Sequence, residues 1–320
     1  MKIVIAGGSG HLGRLLAESF HRTGEEVVVL SRTPRMEPWR VAGWEQCAAE
    51  IDGADVVINL AGRSVDCRYD EAHKREILES RVFTARQIGV AVARAKKPPR
   101  VWLQMSTATI YAHRFHAPND ERTGIIGGTE PDVPPEWRFS IEVAQAWERE
   151  VDLTICPATR KVKLRSAMVM TPEHGGAFEK LLRHVRLGFG RFGDGRQYMS
   201  WIHAEDFVRA VRWLIGHREI AGAVNLAAPQ PLPNAEFMNV LCEAWGTHLA
   251  VPVPEWMVRI GAALIGTEPE LILKSRRVVP RRLLESGFEF RFAEWPEAAR
   301  DLCERRRRHD GVVGEAVPSY

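Results

Sequence analysis

Residues 1–13 read MKIVIAGGSGHLG, an apolar strand that runs directly into glycines at positions 7, 10 and 13. Without side chains, Gly7 and Gly10 allow a sharp turn and the close approach of a diphosphate, and Gly13 allows the following helix to pack closely. That helix, predicted over residues 11–22, would present its N-terminal amides and positive dipole end to the phosphates. The opening stretch therefore predicts a turn that binds a dinucleotide.

A second predicted strand, residues 26–30, supplies the strand-turn-helix-strand context that this glycine motif requires. It ends at Ser31 and Arg32, a point where sites that prefer NAD place an acidic residue. A guanidinium can bind the 2′-phosphate of NADP through two parallel hydrogen bonds, and a hydroxyl can donate a third. We therefore expect NADP(H) as the cofactor. The alternative is that Arg32 is a solvated loop arginine.

The composition indicates a cytoplasmic protein whose partner is a small-molecule substrate. The formal charge is only +3 over 320 residues, so we expect neither nucleic acid nor a membrane surface as a partner. The five cysteines form no C-x-x-C pair and are too sparse for a disulfide scaffold. The first strand begins at residue 2, which leaves no room for a signal peptide. The histidines lack metal-ligand spacing, so no metal site is predicted, and the oligomeric state stays open.

Strand and helix signals alternate along the first half of the chain. This predicts an α/β fold, a doubly wound parallel sheet of the Rossmann type with a smaller C-terminal substrate lobe. The NADP-binding domain is expected over residues 1–170 with 199–228, and the substrate-binding lobe over 171–198 with 229–303. Residues 304–320 are expected to form a polar tail.

The individual elements follow from hydrophobic periodicity, proline positions and turn residues. Further strands are predicted over 2–6, 55–60, 101–105 and 161–166, and further helices over 70–96, 139–150, 235–245 and 255–265. Residues 112–138 are predicted to form a loop over the site. Frequent glycines between 171 and 197 indicate turns that shape a cavity, and the run from Arg305 to Arg308 indicates a solvated helix end.

Several motifs together resemble a known family. In chain order they are AGGSGHLG, LSR, INLAG, STATIY and GRQYMSWIHAEDF. They are similar to motifs of the extended short-chain dehydrogenase/reductases, the group that includes nucleotide-sugar epimerases and dehydratases. The stretches KREILESR (74–81), LGFGRFGDGRQYMSWIH (187–203) and RRVVPRRLLESGFEF (276–290) resemble an atypical subfamily labelled nucleoside-diphosphate-sugar epimerase. The resemblance covers about residues 1–302 and implies an NADP(H)-binding protein.

The resemblance also implies a cofactor pocket built from several segments. Glu76 and Arg81 on the long predicted helix contribute to it, and Met168 lies where a residue near the nicotinamide is expected. Glu76 and Arg81 could instead form a surface ion pair. The complete set of predicted cofactor-binding residues is Gly7, Ser9, Gly10, His11, Leu12, Gly13, Ser31, Arg32, Asn59, Leu60, Ala61, Gly62, Glu76, Arg81 and Met168.

The family's catalytic Tyr-x-x-x-Lys pair is absent from this chain, and the resemblance places Ser140 and Ala144 at its two positions. In the family, the lysine favours the phenolate of a tyrosine whose pKa would otherwise lie near 10. The family's substrate-binding hydroxyl has candidates in Ser106 and Thr107, and Tyr111 is a candidate proton donor. Alternatively, Thr107 is only a strand residue and Tyr111 a capping aromatic.

Three further polar residues have predicted roles outside this set. Arg196, in the glycine-rich segment, could bind a phosphate or carboxylate of the substrate. His203 and Asp206 resemble a superfamily F-I-H-V-x-D segment, which implies that they fix the junction between the lobes and take no part in catalysis.

Two functions are compatible with these residues. The first is an NADP(H)-dependent reductase or epimerase-like enzyme that acts on a small carbonyl or sugar-type substrate, with a hydroxyl from Thr107 or Ser106. The second is a catalytically silent NADP(H)-binding sensor or partner-binding module, because the Tyr/Lys pair is missing.

Overall fold

A computed structural model describes residues 1–32, 37–131, 133–265 and 268–311. Its strands are β1 (Lys2–Ala6), β2 (Glu26–Leu30), β3 (Arg40–Ala42), β4 (Val56–Asn59), β5 (Val101–Thr107), β6 (Arg160–Ser166), β7 (Met168–Met170), β8 (Phe189–Phe192), β9 (Tyr198–Met199), β10 (Trp201–His203), β11 (Gly222–Leu226), β12 (Leu232–Pro233) and β13 (Val251–Val253). Its α-helices are α1 (His11–Arg22), α2 (Cys47–Ile51), α3 (Glu71–Arg94), α4 (Arg138–Leu153), α5 (Ala177–Arg186), α6 (Ala204–Gly216), α7 (Asn234–Trp245), α8 (Glu255–Ile265), α9 (Glu270–Leu273), α10 (Arg281–Glu285) and α11 (Trp295–His309).

Seven of the strands form one parallel sheet in the order β11-β6-β5-β4-β1-β2-β3. Helices cover both faces, which is why Ile3, Val4 and Ile5 of β1 are all fully buried. The chain builds outward from β1 through β2 and β3, and then returns to place β4 on the other side of β1. The predicted doubly wound parallel sheet is therefore confirmed, and its topological switch point lies between β1 and β4. In open α/β sheets, ligands bind at the carboxyl ends of the strands that flank this point.

The first elements coincide with their predictions, because their signals are local. α1 and β2 begin and end at the predicted residues. The long helix α3 begins one residue later than predicted, because the side chain of Asp70 accepts a hydrogen bond from the His73 amide at 2.8 Å and so caps the helix.

The glycine-rich segment is more regular than predicted. Residues 171–197 contain the helix α5 and the strand β8, where only turns were expected. Phe178, Leu181, Leu182 and Val185 recur at helical spacing and are all buried. This apolar stripe outweighs the flanking glycines, which lie at the ends of the elements.

A second hydrophobic cluster packs α5, α7 and α11 together, with Trp295 stacked on Phe237 at 3.9 Å between ring centroids. Since α11 runs through His309, the arginine run is helical. Within it, Arg306 is only 3% exposed and pairs with Glu179 and Asp310, so the expectation of a solvated helix end is wrong at this residue. The two-lobe division of the chain stays a prediction.

The predicted junction residues, His203 and Asp206, are both buried, and their role at a junction between lobes stays a prediction. The buried carboxylate of Asp206 accepts hydrogen bonds from the amides of Arg291 and Phe292, both at 2.8 Å. The imidazole of His203, fully buried, lies 3.1 Å from the Asp301 carboxylate. Both side chains thus tie α6 to the C-terminal segment. Among the described residues, no helix is long and apolar enough to cross a membrane, and no cluster of metal-ligating side chains occurs.

Candidate functional site

A cleft of about 460 Å³ opens at the carboxyl ends of β1, β4, β5 and β6. Its far wall comes from residues at the start of α5 and from α9. The predicted site residues that line it are Gly7, Gly10, His11, Leu12, Gly13, Leu60, Gly62, Arg81, Ser106 and Thr107. The structure therefore brings together residues from the first 107 positions of the chain at the expected edge of the sheet.

The glycine turn and the start of α1 have no space for a side chain at Gly7 or at Gly13. Gly7 has φ +77°, and a Cβ there would lie 2.7 Å from the Ala61 nitrogen. A Cβ on Gly13 would lie 2.4 Å from both the Gly7 oxygen and the Gly8 Cα. Both distances are far below normal van der Waals contact, so the close packing of β1, α1 and the β4 end requires glycine at these positions.

The N-terminus of α1 faces the cleft without a side-chain cap. Gly10 is the N-cap residue, no side chain among the described residues hydrogen-bonds the first-turn amides, and no acidic residue lies in the first turn. An α-helix leaves its first amides without intrahelical partners and carries a partial positive charge at this end. The turn and the uncapped helix therefore fit the diphosphate of a dinucleotide, which would supply the missing acceptors.

The end of β2 carries no carboxylate. Ser31 is buried and its hydroxyl donates to Ser9 at 3.3 Å, while Arg32 is exposed. None of these three residues lines the cleft itself: Ser9 is part of the glycine turn, and Ser31 and Arg32 follow β2. The predicted adenosine-phosphate residues are thus a buried hydroxyl, Ser31, followed in the chain by an exposed cation, Arg32.

The end of β4 is held by a buried amide. Asn59 donates to the Gln104 side chain at 2.9 Å and accepts the Ala61 amide at 3.0 Å. Neither Asn59 nor Ala61 lines the cleft, and these hydrogen bonds shape the turn to Gly62, while their contact with a cofactor stays a prediction. A Cβ on Gly62 would lie 3.2 Å from the Arg81 side chain.

Glu76 and Arg81 do not pair with each other in the contacts observed. Glu76 forms an ion pair with Arg63 at 2.6 Å on the surface of α3 and does not line the cleft. Arg81 does line it, donates to the Arg63 carbonyl at 3.0 Å, and places its guanidinium 5.0 Å from the Trp147 ring centroid. Burial lowers the pKa of Arg81 to about 10, so the side chain remains cationic at neutral pH.

In the wall near β7, the residue that lines the cleft is one position beyond the predicted residue. Val169 lines the cleft, whereas Met168 packs against the second hydrophobic cluster. Strand alternation is the reason, because neighbouring residues point to opposite faces. Thr171 follows β7 directly, and its hydroxyl lies 2.5 Å from the His11 ring.

Ser106 belongs to a buried ionic network. Its hydroxyl donates to Glu148 at 2.7 Å, and Glu148 accepts two hydrogen bonds from Arg165, both at 2.8 Å. Burial opposes ionisation of Glu148, yet Arg165 and Ser106 hold its pKa below the usual range. Since its proton is used in this network, Ser106 is better suited to support the β5 end than to donate to a ligand.

Thr107 is the better placed hydroxyl. It lines the cleft, and its oxygen accepts the Thr109 amide at 3.1 Å. This contact uses a lone pair, so the hydroxyl proton can donate to a ligand oxygen.

Tyr111 lies outside the cleft, which corrects its assignment as a proton donor. The side chain is 2% exposed, its hydroxyl donates to Asn225 at 2.9 Å, and it accepts from Arg165 at 3.0 Å. Burial raises the pKa of Tyr111. Tyr111 is therefore a buried member of the Glu148–Arg165 network. This structural role resembles the alternative prediction, a capping aromatic.

Arg196 also lies away from the cleft. It is exposed, and its guanidinium sits 5.7 Å from the centroid of the Phe115 ring. The turns around it direct the side chain to the surface, so the structure does not place it where a ligand of the cleft would bind.

The far end of the cleft contains residues that the sequence did not single out. They are Arg63, Ser64, Val65, Tyr69, Thr109, Phe139, Trp147, Gly176 and Leu271. Tyr69 and Ser140 both line the cleft, and the Ser140 hydroxyl donates to Glu270 at 2.6 Å. Burial, followed by the charge of Glu270, raises the pKa of Tyr69 to about 12. No sequence spacing could have joined three segments that lie this far apart in the chain.

The sheet order and the glycine turn define the class: a Rossmann-type fold with a dinucleotide-shaped cleft at its switch point. The particular family follows from comparison with known proteins. The chain belongs to the NAD dependent epimerase/dehydratase family, whose profile matches residues 3–227, and a domain of unknown function, DUF1731, matches residues 253–302.

The similarity to known relatives extends over nearly the whole length of both chains. "Epimerase family protein SDR39U1" of Mus musculus is 31% identical over 94% of this chain and 99% of its own, and "Epimerase family protein YfhF" of Bacillus subtilis is 30% identical over 96% and 99%. Among solved structures, human SDR39U1 with NADPH superposes with TM-score 0.84 at 28% identity, covering 95% of this chain and 99% of that one. A UDP-glucose 4-epimerase from Thermotoga maritima shares the fold, with TM-score 0.71, 15% identity and coverage of 97% and 99%.

Proposed function

We propose that the protein binds NADP(H) in the cleft and acts as a reductase or epimerase-like oxidoreductase on a small carbonyl or sugar-type compound. The observation that carries the proposal is the uncapped N-terminus of α1 behind a turn without side chains. The presence of NADPH in the human relative's structure supports the same cofactor class.

The preference for NADP(H) over NAD(H) rests on the β2 end. Ser9, Ser31 and Arg32 offer two hydroxyls and a guanidinium where a carboxylate would repel a 2′-phosphate. Gly7, Gly10 and the first-turn residues of α1 would hold the diphosphate.

A bound nicotinamide supplies hydride transfer, and the chain supplies alignment and proton handling. Thr107 can donate to the oxygen of a bound carbonyl. Arg81 offers a cation in the same cleft for an acidic group of the ligand.

Cofactor choice is tested by titrating NADPH and NADH into the wild type and into Arg32→Ala, with fluorescence of the reduced nicotinamide as the readout. We expect Arg32→Ala to weaken NADPH binding by on the order of tenfold and to leave NADH binding unchanged. Arg22→Ala, an exposed arginine at the opposite end of α1, is the matched control and should bind as the wild type does. An unchanged preference in Arg32→Ala would refute the phosphate-binding assignment.

Turnover is tested separately with NADPH and a panel of aldehydes, ketones and nucleotide sugars. Oxidation of NADPH that falls in Thr107→Val supports the enzyme. The second candidate, a silent NADP(H)-binding sensor or partner-binding module, is favoured by Ser140 and Ala144 at the family's Tyr/Lys positions. Tight NADPH binding without turnover across the panel would establish it.

A further inference from the structure

One face of α4 presents a stripe of apolar side chains to the cleft. Phe139, Val143 and Trp147 recur every four residues, so they lie on the same side of the helix, and all three line the cleft. Val143 is 6% exposed and Trp147 5% exposed, whereas Phe139, near the start of the helix, is only partly buried. The stripe therefore passes from the packed interior toward the solvent.

Two further side chains with apolar surface extend this stripe. Tyr69, from the segment before α3, meets Phe139 edge to face, with 5.2 Å between the ring centroids. Leu271, from α9, also lines the cleft. We refer to Tyr69, Phe139, Val143, Trp147 and Leu271 as the apolar wall.

Hydrogen bonds fix the segments that carry the apolar wall. The Tyr69 amide donates to the Glu268 carboxylate at 2.6 Å, and the Ser140 hydroxyl donates to the Glu270 carboxylate at 2.6 Å. These two contacts hold the segment before α3 and the start of α4 against residues just before and within α9. The apolar wall is thus a preformed surface that three parts of the chain assemble.

The hydroxyl groups at the end of β5 lie next to this wall. α4 packs against β5 and against the turn Ala108–Ile110 that follows it. Thr107 and Thr109, which belong to these two elements, line the same cleft. A ligand whose carbonyl accepts a hydrogen bond from Thr107 therefore lies between the end of β5 and the α4 stripe.

Little positive charge is available in the cleft for an anionic substrate. Among the described residues that line it, the arginines are Arg63 and Arg81, and no lysine occurs. Arg63 is paired with Glu76 at 2.6 Å. Arg81 donates to the Ile77 carbonyl at 3.1 Å, and its guanidinium lies over the Trp147 ring. The diphosphate of a nucleotide sugar carries more negative charge than one partly engaged guanidinium can balance.

We propose that the substrate is an aromatic aldehyde or ketone, whose ring packs on the apolar wall, and that the cleft does not take a nucleotide sugar. Aromatic groups pack favourably edge to face or offset on other rings, and Tyr69 and Phe139 offer two of them. This inference rests on the proposed function and deepens it, because it chooses the small carbonyl over the sugar-type compound.

The reaction balances as the reduction of that carbonyl to an alcohol. The carbonyl carbon gains hydride from the reduced nicotinamide, which is oxidised, and the C=O double bond becomes a single bond. The oxygen gains a proton from water that reaches the open cleft. Thr107 holds the oxygen by a hydrogen bond throughout.

The first test measures binding without turnover. Ligand-observed NMR titrations of the full chain, with and without saturating NADP⁺, give dissociation constants for acetophenone, cyclohexyl methyl ketone and UDP-glucose. NADP⁺ cannot donate hydride, so the compounds stay intact. We expect acetophenone to bind about fivefold more tightly than cyclohexyl methyl ketone, because packing between aromatic rings adds to area burial. UDP-glucose should show no saturable binding to the NADP⁺-loaded protein.

Substitutions in the apolar wall locate the bound ring. Phe139→Ala should weaken acetophenone binding by about tenfold, and Phe139→Tyr, which keeps a ring, should stay within twofold of the wild type. Phe139→Leu keeps apolar bulk and should lose most of the preference for acetophenone over cyclohexyl methyl ketone. Phe83→Ala is the matched control, because Phe83 is 58% exposed on α3 and does not line the cleft.

Turnover with NADPH supplies a second readout. The same order of compounds should appear in kcat/KM. Phe139→Ala should lower kcat/KM for acetophenone by about tenfold, mainly through KM, because it removes binding surface and leaves Thr107 in place.

The outcomes separate the two proposals. If the wild type does not bind NADPH, or binds acetophenone but turns over no carbonyl, the proposed enzyme fails, and the titrations alone decide whether the apolar wall binds a ring. UDP-glucose that binds the loaded protein as tightly as acetophenone overturns the inference. Equal binding of the two ketones to the wild type, or equal acetophenone binding by Phe139→Ala and Phe83→Ala, also overturns it.

Discussion

The two ends of the cleft are built in opposite ways. The turn end, defined by Gly7, Gly10 and Gly13, comes from consecutive residues and is shaped by the absence of side chains. The polar end, defined by Tyr69, Ser140 and Glu270, brings together side chains from three distant segments: Ser140 donates to Glu270 at 2.6 Å, and burial and the charge of Glu270 raise the pKa of Tyr69. A tight backbone turn is determined by neighbouring residues and can be recognised in a sequence. Contacts between side chains of distant segments form only when the chain has folded.

The largest expected effect tests the turn end. Gly13→Val places carbon where a Cβ would already lie 2.4 Å from the Gly7 oxygen, so β1 and α1 must move apart. We expect NADPH affinity to fall by on the order of 1000-fold, or about 4 kcal/mol, in a fluorescence titration. Gly216→Ala at the end of α6 is the control, because a Cβ there meets no atom within 4 Å. Wild-type affinity in Gly13→Val would contradict the packing argument.

A comparable effect, on the free energy of unfolding instead of on affinity, tests the buried network beneath β5, between the two ends. Arg165→Met leaves the Glu148 carboxylate, 6% exposed, without its bidentate partner. Breaking a buried pair by removing one member costs about 3–5 kcal/mol, which urea unfolding can measure. The loss should shrink as the pH falls, because the pKa of Glu148 is lowered in the folded wild type and its contribution is lost on protonation. A loss below about 1 kcal/mol would mean that the pair is not buried as described.

The next effect, at Lys274 beside Glu270, separates the polar end of the cleft from ordinary packing through its pH dependence. The folded pKa of Lys274 is about 8 and its ordinary value 10.5, so the unfolded chain binds an extra proton between these values. Stability should therefore rise with pH across this window. Relative to Lys274→Met, the wild-type free energy of unfolding should gain roughly 3 kcal/mol toward pH 10.5. If the free energies of unfolding of the two proteins changed equally with pH, Lys274 would be exposed to water and this account of its burial would be wrong.

The smallest expected effect is at the surface. Arg86 is 60% exposed and pairs with Glu150 at 2.8 Å on the outside of α3 and α4. Arg86→Met should lower the free energy of unfolding by less than about 1 kcal/mol, since exposed ion pairs are screened. Urea unfolding beside Arg165→Met makes the contrast direct, and equal losses in the two variants would remove the distinction between buried and exposed pairs.

The sequence predicted most of the fold and the turn end of the cleft. β1, α1 and β2 are correct because strand runs, glycines and helix periodicity act over a few residues. The helix α5 was not predicted, because the glycines at its borders indicate turns and this signal was weighted above the apolar stripe inside the helix. Tyr111 and Arg196 were misassigned because a motif position does not reveal which way a side chain points.

The polar end could not have been predicted from spacing. Ser140 and Glu270 are 130 residues apart in the chain, and their hydrogen bond exists because α9 returns to pack beside α4. The one available signal was indirect: the resemblance places a serine, Ser140, at the family's tyrosine position, so a hydroxyl was expected at this point of the chain.

A crystal structure of the protein grown with NADPH tests the central claim most directly. The account predicts the diphosphate on the first-turn amides of α1, the 2′-phosphate beside Ser31 and Arg32, and the nicotinamide directed toward Thr107 and Tyr69. A nucleotide bound elsewhere, or a side chain seated on the α1 N-terminus with NADPH excluded, would contradict it.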